Sequence, residues 1–174
     1  MKELTMLRIV TGMWLTIVLI LVALIPAELR VRFHEASAGS WGVWQWIGLW
    51  VLLNGVGLAG WCANLFNVEG RGTPLPMAPP RRFLMTGPYR YVRNPMLLGL
   101  ILILIGEVIL FRSRVLALYT GTMMIVAGLY IRGLEEPGLV KRFGQPYQEY
   151  CQRVPRWIPR RVPPGPPPAA KPNP

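Results

Sequence analysis

Two groups of residues in this chain carry side chains able to do chemistry at close spacing. The first is Gly87 to Gly99, GPYRYVRNPMLLG, where Tyr89, Arg90, Tyr91, Arg93 and Asn94 stand directly ahead of Pro95 and an apolar run. The second begins at Arg132 and brings Glu135, Glu136, Tyr147, Glu149 and Tyr150. Guanidinium and amide groups hold a carboxylate, carboxylates hold a cation, and tyrosines flank a flat ring. Together the two groups suit a small cytosolic cofactor of mixed charge with an aromatic part. A plainer reading gives them no ligand: Arg93 and its neighbours anchor a helix to lipid head groups, and Glu135 and Glu136 cap or salt-bridge locally.

The elements between the two groups decide whether they meet. Met96 to Phe111 and Val115 to Ile131 are apolar runs separated only by Arg112, Ser113 and Arg114. Two helices so joined form a tight antiparallel hairpin, which crosses a bilayer and returns, placing Asn94 and Glu135 at the same membrane edge. Gly99 and Gly106 in one helix, and Gly121 and Gly128 in the other, share a spacing of seven. That spacing puts small residues on one face of each helix, so close backbone packing is expected on both.

Two further runs precede the hairpin, at residues 9–26 and 41–66. The first is about long enough to span and lacks a small-residue cleavage pattern after it, so it reads as an uncleaved helix rather than a signal peptide. The second carries Trp41, Trp44, Trp46, Trp50 and Trp61 near its ends, like interfacial belts, and Gly55, Ala59 and Ala63 on one face. Asn54 and Asn64 are expected to hydrogen-bond between helices. With spans at about 9–26, 41–66, 96–111 and 115–131, the chain reads as an all-α integral membrane protein of four transmembrane helices with a cytoplasmic C-terminal cofactor-binding segment.

Composition agrees: 52% hydrophobic and 16% charged residues leave too little polar surface for a soluble domain. The formal charge of +11 does not point to nucleic acid, because the basic residues fall in blocks between the apolar runs. The residues before the first run, the 67–95 loop and the tail after Ile131 hold 15 Lys and Arg, against 4 in the other two connections. Both termini and that loop are therefore expected to face the cytoplasm, and the expected location is a bacterial inner membrane. Residues 1–160 read as one domain. Residues 161–174, with seven prolines in fourteen positions, read as a disordered or extended tail.

Other features exclude other chemistries. Cys62 and Cys151 read as free thiols, His34 is the only histidine, and no Cys, His and carboxylate cluster has ligand spacing, so no metal is expected. Gly70 to Pro74, GRGTP, lacks the following Lys-Ser or Lys-Thr of a nucleotide P-loop. Glu107 sits well inside the third run; pairing with a snorkelling Arg112 or Arg114 and lining an acceptor tunnel both suit it.

The order of motifs adds a resemblance. GRGTPLPMAPPRRFLMTGPYRYVRNPM (70–96), then the Glu135 and Glu136 pair, then FGQPYQEYCQRVPRWIP (143–159) resemble the isoprenylcysteine carboxyl methyltransferase family and its phospholipid methyltransferase relatives. The resemblance implies a helical membrane enzyme that takes S-adenosylmethionine from the cytosol and methylates a lipid-like acceptor, such as a prenylated cysteine carboxylate, reached from the bilayer. It implies cofactor contacts from Gly87, Tyr89, Arg93, Asn94, Pro95, Gly99, Glu135, Glu136, Tyr147 and Tyr150, with Phe143 and Gly144 in the lid. Catalytic roles fall to Arg93, Arg132 and Glu136. Leu97 departs from the family pattern, which usually has tyrosine there.

Methyl transfer from a sulfonium asks mainly for alignment and a dry site. A carboxylate acceptor needs only positioning, by Arg93 or Arg132; an amine or thiol acceptor needs a base, for which Glu135 or Glu136 is nearest. Two other classes share this outline: a sterol-type membrane reductase using NADPH, and a non-catalytic membrane scaffold.

Overall fold

The computed structural model describes residues 12–34, 41–66 and 85–159; the start of the first run, the GRGTP loop and the proline-rich tail lie outside them. Among the described residues every regular element is helical. Helix α1 is Gly12–Arg32, α2 is Val43–Leu65, α3 is Pro95–Phe111, α4 is Arg114–Phe143 and α5 is Gln145–Arg153. α1, α2 and α4 are long and apolar enough to cross a membrane. α3 is a shorter apolar helix of 17 residues, so three spans are supported by length and composition and the fourth is not. Large apolar side chains such as Leu24, Trp50, Leu118, Ile125 and Leu129 lie exposed along α1, α2 and α4. That inversion of a soluble protein's surface is what lipid requires.

α1 continues beyond the expected end at residue 26 to Arg32, straight through Pro26. Proline lacks the N–H that closes an α-turn, and its ring crowds the carbonyl four residues back. The chain accommodates this by widening Ile20–Leu24 into a π-turn, in which the Ile25 N–H reaches back five residues to the Ile20 carbonyl. The same device recurs in α4. Ile131–Glu135 is a π-turn, the Glu136 N–H reaches the Ile131 carbonyl, and Pro137 follows. The apolar part of α4 ends at Ile131, and the helix carries Arg132, Glu135 and Glu136 beyond it.

The closest packing joins α2 to α3. A Cβ on Gly48 would lie 2.5 Å from the Leu110 nitrogen, one on Gly55 2.7 Å from the Gly99 oxygen, and one on Gly106 2.6 Å from the Leu52 nitrogen. Added to these positions, a methyl group meets backbone, which cannot step aside. Among the described residues Gly121 and Gly128 meet nothing within 4 Å, so the close contact expected on that face of α4 is absent there. The hairpin itself is short: Arg112 takes a left-handed conformation, and Ser113 caps α4 by accepting from the Leu116 N–H at 2.9 Å.

Two expectations about polar groups in the spans change. Asn54 donates to the Trp50 carbonyl at 2.7 Å, within its own helix rather than between helices. The cation close enough to act on Glu107 is Arg30 of α1, whose guanidinium lies 3.6 Å from the centroid of the Phe111 ring, rather than Arg112 or Arg114.

Candidate functional site

The site is built where the loop before α3 meets the end of α4 and α5. Gly87–Arg90 is a single 3₁₀ turn that starts at Gly87 with φ +53, and it lies on α2: a Cβ on Gly87 would be 2.9 Å from Leu65 Cδ1. Tyr89 is buried with Cys62, Leu65 and Met96, its ring edge-on to Phe66 at 5.8 Å. This apolar seat fixes the loop against the bundle. Pro95, fully buried, then opens α3 at the first helical position, where a missing N–H costs nothing.

From the other side, α4 ends at Gly144, whose φ of +61 allows the chain to turn directly into α5. α5 buries Tyr147 and Tyr150, and with Val154 they pack against Met85, Leu139, Val140, Phe143 and Cys151. Burial raises the phenol pKa of Tyr89, Tyr147 and Tyr150, so all three remain neutral hydrogen-bonding groups.

Four links join the two sides. The Tyr150 hydroxyl donates to the Tyr89 carbonyl at 2.7 Å, the Arg93 backbone N–H to the Pro155 carbonyl at 2.9 Å, and Arg93 Nε to the Val154 carbonyl at 2.9 Å. The fourth is an ion pair from Arg93 Nη1 to Glu136 Oε1 at 2.8 Å. Glu136 also receives both ends of a second guanidinium: Arg156 Nε donates to Oε1 at 2.9 Å and Nη2 to Oε2 at 2.6 Å. The two-pronged bond from Arg156, then the Arg93 charge, hold the Glu136 carboxyl below its usual pKa. Reciprocally, Glu136 raises the pKa of Arg156.

Asn94 and Glu135 flank this network and remain unpaired. Asn94 is the N-cap of α3, yet it makes no capping bond, and its Nδ2 is occluded with no partner. Glu135 makes no hydrogen bond or ion pair with another described residue. It is near enough to Tyr89 to interact with it electrostatically, and crowding by protein, then the Glu136 charge, raises its carboxyl pKa. An occluded amide donor at a helix N-terminus, where backbone N–H groups favour negative charge, fits a ligand carboxylate. The exposed, unpaired carboxylate of Glu135 fits a ligand cation. No three metal-ligating side chains converge among the described residues.

The structure thus brings together Tyr89, Arg93, Asn94, Pro95, Glu135, Glu136, Tyr147 and Tyr150. Gly87 shapes the loop from beneath. Arg132 stays exposed at the rim, its charge reaching Glu136 without a hydrogen bond. Gly99 is turned away from the polar groups into the seam with α2, 2.8 Å by its notional Cβ from the Ala59 nitrogen. Sequence reasoning gave no role to Arg156. The signal was present: a cation between Pro155 and Pro159, in a segment too stiff to place it at random.

The phospholipid methyltransferase family model matches residues 43–146, which covers α2, α3 and α4 and ends at the start of α5. Methanethiol S-methyltransferase 1 of Bradyrhizobium diazoefficiens is 34% identical over 84 residues, 48% of this chain. The match spans 28% of that relative's length. No solved structure matches.

Proposed function

Because the chain belongs to the phospholipid methyltransferase family, we propose that it transfers a methyl group from S-adenosylmethionine, held at the cytoplasmic membrane face, to a hydrophobic acceptor that enters from the bilayer. Bound there, the cofactor supplies a methyl group on a cationic sulfonium, together with an amino-acid end that carries both a carboxylate and an ammonium. The unpaired Asn94 amide carries this reading. With the N-terminus of α3 it binds the carboxylate, and the unpaired Glu135 attracts the cationic groups. Tyr89, Tyr147 and Tyr150 wall the site and exclude water, which strengthens each of these interactions.

For a carboxylate acceptor, Arg132 at the exposed rim is placed to orient the nucleophile. The relative named for methanethiol brings small thiols into the acceptor class beside prenylated cysteines and other lipid-like molecules. Calorimetric titration of the protein in detergent with S-adenosylhomocysteine and, separately, with NADPH tests the cofactor. Binding of the first alone is expected; binding of NADPH alone would make the protein a reductase, and binding of neither a scaffold. Labelled-methyl transfer to a prenylcysteine, a short alkanethiol and a membrane lipid extract then identifies the acceptor.

A further inference from the structure

The two adjacent glutamates are in different situations. Glu136 has both oxygens engaged by two guanidiniums, in three charge-assisted bonds of 2.6 to 2.9 Å. Its side chain is 14% exposed, against 15% for Arg93 and 25% for Arg156. A carboxylate so occupied has no lone pair directed at a ligand cation and little tendency to take a proton. Glu135 is without such partners among the described residues and is exposed.

The Arg93 guanidinium that holds Glu136 also holds the backbone beyond α5. Arg93 receives the carbonyls of Val154 and Pro155 on its Nε and its backbone N–H, and Arg156 is tied to Glu136 itself. Val154 and Pro155 are therefore fastened to the loop before α3, and Arg156 to Glu136 of α4, which Arg93 of that loop also holds. Pro155, which has no N–H to offer, uses its carbonyl. One turn earlier the Tyr150 hydroxyl fixes α5 to the same loop. Without Arg156, Glu136 would keep one of its three bonds.

We infer that Arg156 is a positioning residue: with Glu136 and Arg93 it forms a clasp that draws α5 and the segment after it against the loop before α3, leaving Glu135 as the glutamate that contacts the cationic end of the bound cofactor. The inference rests on the cofactor reading above only for the role of Glu135. The clasp is a property of the protein alone, so the two parts can fail separately.

The test uses the full chain in lipid nanodiscs. Without ligand, amide hydrogen exchange across 145–156 should rise at least tenfold in Arg156→Ala and in Glu136→Gln. Arg156→Lys, with one bond in place of two, should fall between these and the parent protein, and Glu135→Gln should match the parent. Unchanged exchange in Arg156→Ala would overturn the clasp. With S-adenosylhomocysteine, Glu135→Gln should raise Kd at least tenfold with exchange unaltered. Arg156→Ala should raise Kd by an amount that Arg156→Lys partly recovers. Parent-like affinity in Glu135→Gln would overturn its assignment. If the parent protein binds no S-adenosylhomocysteine, the cofactor reading and the Glu135 role fall together, and the exchange data still decide the clasp.

Discussion

Gly99 and Gly106 in α3 and Gly121 and Gly128 in α4 are spaced alike, but among the described residues only the first pair meets another helix at backbone distance. The α2–α3 seam is held by shape: backbone lies against backbone, and the glycines are there because nothing larger fits. α4 has no comparable seam along its glycine face. α4 is held instead by individual side chains: Leu116 and Ile131 are fully buried, Leu139, Val140 and Phe143 pack on α5, the Tyr119 hydroxyl donates to the Leu21 carbonyl of α1 at 2.8 Å, and Glu136 joins the clasp beyond the apolar part. One half of the bundle is therefore fixed by backbone lying on backbone and the other by side-chain packing and a few hydrogen bonds, and the proposed cofactor site lies along the border between them. A site that must admit a cofactor from water and an acceptor from lipid is well served by one rigid wall and one separable wall.

The contrast can be broken most directly at Gly106. Gly106→Leu should destabilise the protein by about 3 kcal/mol or more, since overpacking against backbone allows little relaxation; unfolding in bicelles measures it, and a loss below 1 kcal/mol would show that the seam yields. Next in size is Glu136→Gln, which leaves Arg93 and Arg156 without their counter-ion and should cost about 1.5–3 kcal/mol, the range for hydrogen bonds to charged groups. Its effect should localise to α5 in exchange measurements, whereas that of Gly106→Leu spreads through α2 and α3.

Acid separates the walls differently. The folded-state pKa of Glu136 lies below its unfolded value, so the clasp contributes fully above the ordinary carboxylate range and is lost as pH falls through the depressed folded value. Glu135, with a raised pKa, has the opposite sign: protonation on acidification relieves a cost in the folded state. S-adenosylhomocysteine affinity should therefore weaken on acidification before the clasp opens, and Glu135→Gln should abolish that first step. A single transition for affinity and exchange would contradict it.

Two smaller effects complete the series. Tyr119→Phe should cost about 0.5–1.5 kcal/mol, the net value of one hydrogen bond, and loosen α1 from α4. Gly128→Ala should change stability by less than about 1 kcal/mol and in the favourable direction, because alanine is the better helix former and finds open space. A destabilisation there comparable to Gly106→Leu would mean that the α4 face is as closely packed as the seam.

The sequence carried the meeting of the loop before α3 with the end of α4, made by Arg93 and Glu136, because a hairpin with a three-residue connection has only one way to return. It also carried the membrane character and the family's motif order. It could not tell the two glycine pairs apart, since a spacing of seven describes one face of a helix and says nothing of what that face meets. Asn54 turned to its own helix for the same reason: the carbonyl four residues back is always present, and a neighbouring helix only sometimes. Arg156 escaped notice because its partner is a tertiary neighbour on a different helix, twenty positions back. The length of α1 was misjudged at Pro26, where proline usually breaks a helix and here only widens it.

That widened turn has a counterpart whose effect reaches the chemistry. A π-turn inserts one extra residue into a helix, and one residue is about 100° of rotation at 3.6 per turn. The turn at Ile131–Glu135 thus sets the azimuth of everything after it. Were it to close into regular α-helix, as removal of Pro137 would permit, Glu136 would rotate off Arg93 and another side chain would take its bearing. In the proposed assignment, which of the two glutamates braces the wall and which meets the cofactor is decided by the imino acid that follows them in the chain.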